Sequence, residues 1–163
     1  MRKLLDPATE YALRRLIHRS TRLQDGGQVE ELAALFARGV IVLGGAGEVF
    51  SGTEGVLALL RRNVFYDANG VPADPELMYA TGRALHYVSN IDIFAHGDGG
   101  FGAESNFLIV QQHGSGPPRI IVGGRYLDSF GHAEGDYYFR RRIVEVHFVG
   151  ETGSYIKSHP WAG

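Results

Sequence analysis

The sequence predicts a single α+β domain with a curled, mostly antiparallel sheet. Three observations carry that prediction. The first part of the chain reads as three short amphipathic helices, and the second half reads as long strands joined by glycine-rich turns. The composition, 44% hydrophobic and 21% charged in 163 residues, supplies one core without cross-links.

Asp6 and Pro7 open the first helix, Asp6 as N-cap and Pro7 at the first helical position. Tyr11, Leu13, Leu16, Ile17 and Leu23 give it one apolar face to about Gln24, and Gly26-Gly27 breaks it. Val29 to Ala37 is a second helix with Leu32, Leu35 and Phe36 inward. Val40 to Leu43 is β-branched or apolar between glycines and reads as a strand, with Glu48 to Phe50 pairing back on it. Ser51-Gly52-Thr53-Glu54 precedes a third helix, Gly55 to about Asn63. Phe65 to Gly82 has no clear period and reads as a long loop. Four strands follow: Ala84 to Ala95, Phe101 to Gln112, Arg119 to Phe130 and Asp136 to Val149. Strands of that length twist and curl, and a curled sheet with helices on its concave side leaves room for a pocket.

Several function classes are set aside at this level. A net charge of −2 gives no global field for nucleic acid, and the basic run Arg140-Arg141-Arg142 reads as a solvated strand edge with one inward residue. With no cysteine there is no disulfide, thiol nucleophile or thiolate metal site. The seven histidines show no metal-ligand spacing, so neither metal nor cofactor is expected. No apolar stretch follows Arg2 and Lys3 as a signal peptide requires, and none reaches the length of a membrane span; a cytoplasmic protein is expected. One domain should occupy residues 1–163, with 156–163, which holds the only tryptophan, Trp161, as a C-terminal tail.

Several segments carry a family likeness. They are Leu23-Gln24-Asp25-Gly26-Gly27, Leu35-Phe36-Ala37, Ser51-Gly52-Thr53-Glu54-Gly55, Leu85-His86-Tyr87-Val88-Ser89-Asn90, the run Gly124 to Phe130, and Tyr137-Tyr138-Phe139. Together, over Ala8 to Tyr155, they resemble the SnoaL-like branch of the nuclear-transport-factor-2-like superfamily. The resemblance implies a cone-shaped fold in which three N-terminal helices and a curved sheet enclose a pocket. It leaves the activity open among dehydratases, a dehydrochlorinase, an epoxide hydrolase, isomerases, polyketide cyclases and non-catalytic β subunits of ring-hydroxylating dioxygenases.

The same resemblance implies a catalytic pair, Asp25 and His86, at the positions where the dehydratases and the dehydrochlorinase carry theirs. A neutral imidazole abstracts a proton and a carboxylate fixes its tautomer, which suits general acid–base chemistry. Arg142 falls where the dehydrochlorinase has an arginine that receives the leaving anion. Alternation places His86, Val88, Asn90 and Asp92 on one face of their strand, and Tyr126 with Asp128 on one face of theirs. Tyr126 and Asn90 are candidate substrate contacts. Ser20 stands where the dehydrochlorinase has a lysine and the bile acid dehydratase a tyrosine. Asn106 is a candidate too, although Glu104 and Asn106 together read more readily as sheet or dimer surface. The expectation is a cofactor-independent lyase of the dehydratase type acting on a small apolar molecule. An isomerase, a cyclase or an assembly module are the alternatives. A homodimer or homotrimer is expected, with Ile91, Ile93 and Leu127 as interface candidates, and neither nucleic acid nor membrane as partner.

Overall fold

A computed structural model describes residues 5–44, 47–63, 65–66, 72–73, 84–96, 99–112, 116–153 and 155. The elements run α1 (Pro7–Asp25), α2 (Val29–Ala34), β1 (Val40–Leu43), β2 (Glu48–Ser51), α3 (Gly52–Leu60), β3 (Phe65–Tyr66), β4 (Pro72–Ala73), β5 (Ala84–Ala95), β6 (Phe101–Gln111), β7 (Arg119–Ala133) and β8 (Asp136–Val149). The chain is mixed α+β with an open, curved six-stranded sheet in the order β2-β1-β8-β7-β6-β5. All neighbours are antiparallel except β1 and β8, which run parallel. The predicted loop after α3 contains the small β3–β4 pair. Its other residues, like Trp161, lie outside the described set.

Asp6 caps α1 as its sequence position predicts. Its carboxylate accepts from the Ala8 and Thr9 amides at 3.1 and 3.0 Å, and those hydrogen bonds hold its pKa below the ordinary value. The second helix is shorter than the sequence pattern suggests. Past Ala34 the chain tightens into turns from Leu32 to Leu35 and from Ala33 to Phe36, which still buries Phe36 completely. The third helix begins three residues early, at Gly52, whose φ of +64° lets the chain swing from β2 straight into the helix.

The helices cover the concave face of the sheet. Leu13, Ile17, Val29, Phe36 and Val56 meet Phe130 and Phe139 in one core, with Phe36 stacked on Phe139 at 4.6 Å. A second cluster, Phe107, Ile109, Ile121, Val122, Tyr126 and Tyr155, fills the other end.

Bulges decide which side chains face inward. On β5, Ser89 pairs with Asn106 and Asp92 with Glu104, so β5 carries one residue too many. Asn90 takes a φ of +50° there, a conformation that asparagine tolerates better than most residues. The alternation flips across this bulge. His86 and Val88 are inward before it, and Ile91 and Ile93 pack against the core after it. On β8, Arg140 is the extra residue, because Phe130 pairs with Phe139 and Ser129 with Arg141. That insertion turns both Phe139 and Arg142 inward and leaves Arg140 and Arg141 exposed.

Candidate active site

Asp25 is the last residue of α1, and His86 is the third of β5. A carboxylate at a helix C-terminus opposes the helix dipole, so the position does nothing for the helix itself. Asp25 is held there by β5 instead. The backbone N–H of His86 donates to both carboxylate oxygens at 3.1 Å, and His86 Nδ1 lies 2.5 Å from Asp25 Oδ1. The imidazole is 2% exposed and the carboxylate 18%. A charged carboxylate only accepts, so Nδ1 carries the hydrogen and, in the neutral ring, Nε2 presents a lone pair.

That lone pair faces Tyr155. The Tyr155 hydroxyl lies 3.2 Å from His86 Nε2, and Gln24 Nε2 donates to the same hydroxyl at 3.4 Å. With Nε2 as acceptor, the phenol must donate to it. The chain of bonds therefore has one direction, from the Gln24 amide to the Tyr155 hydroxyl, on to His86, and on to Asp25. Burial raises the Tyr155 pKa, with the neighbouring Tyr126 and Asp25 acting the same way, so the phenol stays protonated.

His86, Tyr155, Tyr126, Arg142 and Gln24 line one cavity of about 100 Å³, whose remaining wall is largely hydrocarbon from Leu32, Ile41, Leu43, Leu60 and Val122. Tyr126 stacks on Phe107 at 4.3 Å between ring centres. Burial pushes its pKa up to about 12, with Arg142 opposing and Asp128 and Asp25 adding to the rise.

Arg142 sits in the same wall, 5% exposed. Its Nε and Nη2 donate to the two oxygens of Asp128 at 2.7 and 2.8 Å, and Nη1 donates to Ser20 Oγ at 3.0 Å. Ser20 passes its own hydrogen to the Ile17 carbonyl at 2.7 Å. The guanidinium carbon lies 4.3 Å from the Tyr126 ring centre and 4.6 Å from that of Phe139. Burial works against the charge, but the Asp128 carboxylate and its hydrogen bonds outweigh it and hold the Arg142 pKa above its ordinary value. The arginine is thus a neutralised fork that ties β8, β7 and α1 together.

The structure brings Asp25, His86, Tyr126, Arg142 and Ser20 into one region, where Ser20 meets the arginine and not the cavity wall. It separates the two asparagines from them. Asn90 is exposed at the β5 bulge, because the extra residue there reverses the alternation on which its inward placement depended. Asn106 lies on the outer face of β6, between the buried Ser105 and Phe107. Ile91 and Ile93 are likewise removed as interface candidates by the same bulge.

Sequence reasoning missed Tyr155, Gln24 and the partnership of Asp128 with Arg142. Shared alternation of Tyr126 and Asp128 was the available signal for the last. Nothing in the sequence signalled that Tyr155 folds back onto His86. Ser105 Oγ, buried on β6 opposite Tyr126, has no hydrogen-bond partner among the described residues. Among the described residues no three histidine, aspartate or glutamate side chains group as metal ligands, and no helix is long and apolar enough to cross a membrane.

A family model described as a SnoaL-like domain matches residues 8–143. No curated protein matches the chain. Among solved structures, Aln2 from a Streptomyces species superposes with a TM-score of 0.70 at 19% identity, covering 88% of this chain and 94% of its own. ActVI-ORFA from Streptomyces coelicolor gives 0.69 at 18% identity, covering 85% and 97%. A candidate scytalone dehydratase from Novosphingobium aromaticivorans gives 0.64 at 19% identity, covering 88% and 87%. At these identities the likeness is one of fold.

Proposed function

The chain belongs to the SnoaL-like domain family, and from that premise we propose that it is a cofactor-independent lyase that removes water from a small oxygenated molecule. One observation carries the reading: a buried imidazole in the wall of a cavity, fixed in one tautomer by Asp25, presents its basic nitrogen to the Tyr155 hydroxyl of the same wall. Removing a proton beside a carbonyl requires such a base, and in a water-poor site it contributes about 10²–10⁴-fold. The apolar wall suits a hydrocarbon skeleton. Tyr126, protonated at any physiological pH, supplies a hydrogen bond to the substrate oxygen on which charge develops. Arg142, its charge matched by Asp128, packs on the Tyr126 ring and holds the wall in place. Asp128 already occupies its fork, which argues against direct capture of a leaving anion.

The cavity limits the substrate. Its volume of about 100 Å³ is smaller than the roughly 150 Å³ that admits a benzene ring, so a larger molecule enters only as the wall moves outward. The likeness of fold to a candidate scytalone dehydratase supports water loss. Isomerisation and aldol-type cyclisation begin with the same proton abstraction and form the second reading.

The test offers the protein a panel of small β-hydroxy ketones and follows the absorbance of the conjugated enone. His86→Ala and Asp25→Asn each lower turnover about 10²–10⁴-fold with the fold intact by circular dichroism. Wild-type rates in either variant reject the mechanism.

We also propose self-association through the outer face of the sheet. Leu85, Tyr87, Ile120 and Phe148 are between 41% and 55% exposed, and the strand register sets them beside Leu108 and Val110 on that face. An apolar surface shared by four strands is best covered by a second copy of itself. Tyr87→Glu should convert the assembly to monomers in sedimentation velocity, and a monomeric wild type would refute the proposal.

A further inference from the structure

We propose that Tyr155, and not His86, is the residue that exchanges protons with the substrate, His86 acting behind it as the reservoir. The inference rests on the acid–base reading above and specifies its route. It follows from the direction of the hydrogen bonds. Asp25 takes the Nδ1 hydrogen of His86, so Nε2 can only accept, and the hydroxyl that it accepts from is Tyr155. The one basic nitrogen of the site is therefore already occupied. A substrate proton reaches it either after the tyrosine is displaced or by passing through the tyrosine oxygen.

The surroundings favour passage. Tyr155 is 5% exposed, packs with Phe107, Ile109, Val122 and Tyr126, and its hydroxyl also accepts a hydrogen bond from Gln24 Nε2. It also lines the cavity together with His86 and Tyr126, which brings the tyrosine to the substrate side of the imidazole in this proposal. Burial makes a free phenolate costly, which requires the two transfers to occur together.

The steps balance. The substrate C–H bond breaks as its proton joins the Tyr155 oxygen. The Tyr155 O–H bond breaks as that hydrogen joins His86 Nε2. The C–H electron pair moves into the enolate, and Asp25 stabilises the imidazolium. In the second half His86 returns its proton to the Tyr155 oxygen, which passes its hydrogen to the leaving hydroxide. The products are water, a conjugated enone and the starting protein. Because one group serves both half-steps, hydrogen and hydroxyl leave from the same face.

Tyr155→Phe keeps the ring and its packing and removes only the relay oxygen. On the β-hydroxy ketone panel it should lower kcat about 10²–10⁴-fold with little change in KM. A structural role for the hydroxyl would not shape the solvent isotope effect, so rates in mixtures of light and heavy water provide the second readout. The substrate C–H hydrogen does not exchange with solvent and the Tyr155 hydrogen does, so the wild type should slow in proportion to the heavy-water fraction, and residual Tyr155→Phe activity should not. The inference is overturned if Tyr155→Phe turns over as fast as the wild type or faster, the result for a plug that must move aside, or if the wild-type rate is the same in light and heavy water. If His86→Ala also retains wild-type turnover, or the wild type acts on no member of the panel, the acid–base reading itself fails. An inactive His86→Ala beside an active Tyr155→Phe would sink the relay alone.

Discussion

Replacing Asp128 by alanine tests whether the buried fork is as central as its geometry implies. Asp128 and Arg142 have side chains that are 0% and 7% exposed, so neither charge has appreciable access to water. Among the described residues, the substitution removes two of the three hydrogen bonds that Arg142 makes and leaves the one to Ser20. It also leaves a guanidinium, which cannot be deprotonated, in a wall of hydrocarbon. Breaking one side of such a pair costs about 3–5 kcal/mol. The rings of Tyr126 and Phe139, close to the guanidinium face, offset some of this, and cation–π contacts contribute about 0.5–2 kcal/mol. Those contacts exist in the wild type too, so they gain only by strengthening, and a net loss of about 3 kcal/mol is expected. Against a typical domain stability of about 5–15 kcal/mol, that is a large fraction. The assay is urea unfolding followed by circular dichroism, with the midpoint falling and the slope unchanged. The double variant Asp128→Leu with Arg142→Met, which removes both charges, should recover most of the loss. A loss below about 1 kcal/mol in Asp128→Ala, the range of an exposed pair, would show that water reaches this arginine and that the fork is not sealed.

Other consequences are more local. Tyr126 ionises at a pKa of about 12 in the folded chain against 10.0 when free, so above pH 10 the unfolded chain loses its proton first and stability falls until about pH 12. Tyr126→Phe should flatten part of that alkaline decline in unfolding titrations, the remainder coming from Tyr155, and an unchanged decline would contradict the burial of the phenol. Asn90→Gly should leave stability nearly unchanged while Asn90→Val lowers it, because a β-branched residue is poorly suited to the positive φ of the bulge. Equal melting temperatures for the two would refute that backbone assignment. Asn90→Ala and Asn106→Ala should leave turnover unaltered, and a large loss in either would return it to the site. Gly124→Ala should be strongly destabilising in thermal melts, since its Cβ would lie 1.8 Å from the Glu145 carbonyl oxygen, and a neutral result would mean that β8 is free to shift.

Much of this arrangement was legible in the residues themselves. The Asp6-Pro7 start, the glycine stop after Asp25, and the long strands from Ala84 onward all rest on local chemistry, and all appear where local chemistry puts them. The Asp25–His86 contact rested on family likeness, because nothing short-range connects two residues on a helix end and a strand. What failed was side-chain direction wherever a strand gains a residue. Alternation places Asn90 beside His86 until the bulge at Asn90 reverses it, and Arg142 faces inward because Arg140 is surplus. Whether a strand bulges depends on its neighbour's register, which no single strand encodes. Tyr155 was invisible for a related reason: it follows β8, and its place is set by a pocket assembled from α1, α2, α3, β1 and β5 to β8.

The lone parallel pairing in the sheet orders events in time. β1 hydrogen-bonds to β8, with Ile41 beside Arg142, so a strand made early in synthesis waits for the last one. Until β8 is made, the helices and the β1–β2 hairpin lack the strand that completes their floor, and Phe36 has no Phe139 to cover it. The chamber is consequently closed only once β8 has joined the sheet. Chains terminated before β8 would emerge with greasy surfaces bare, as ready clients for chaperones and proteases.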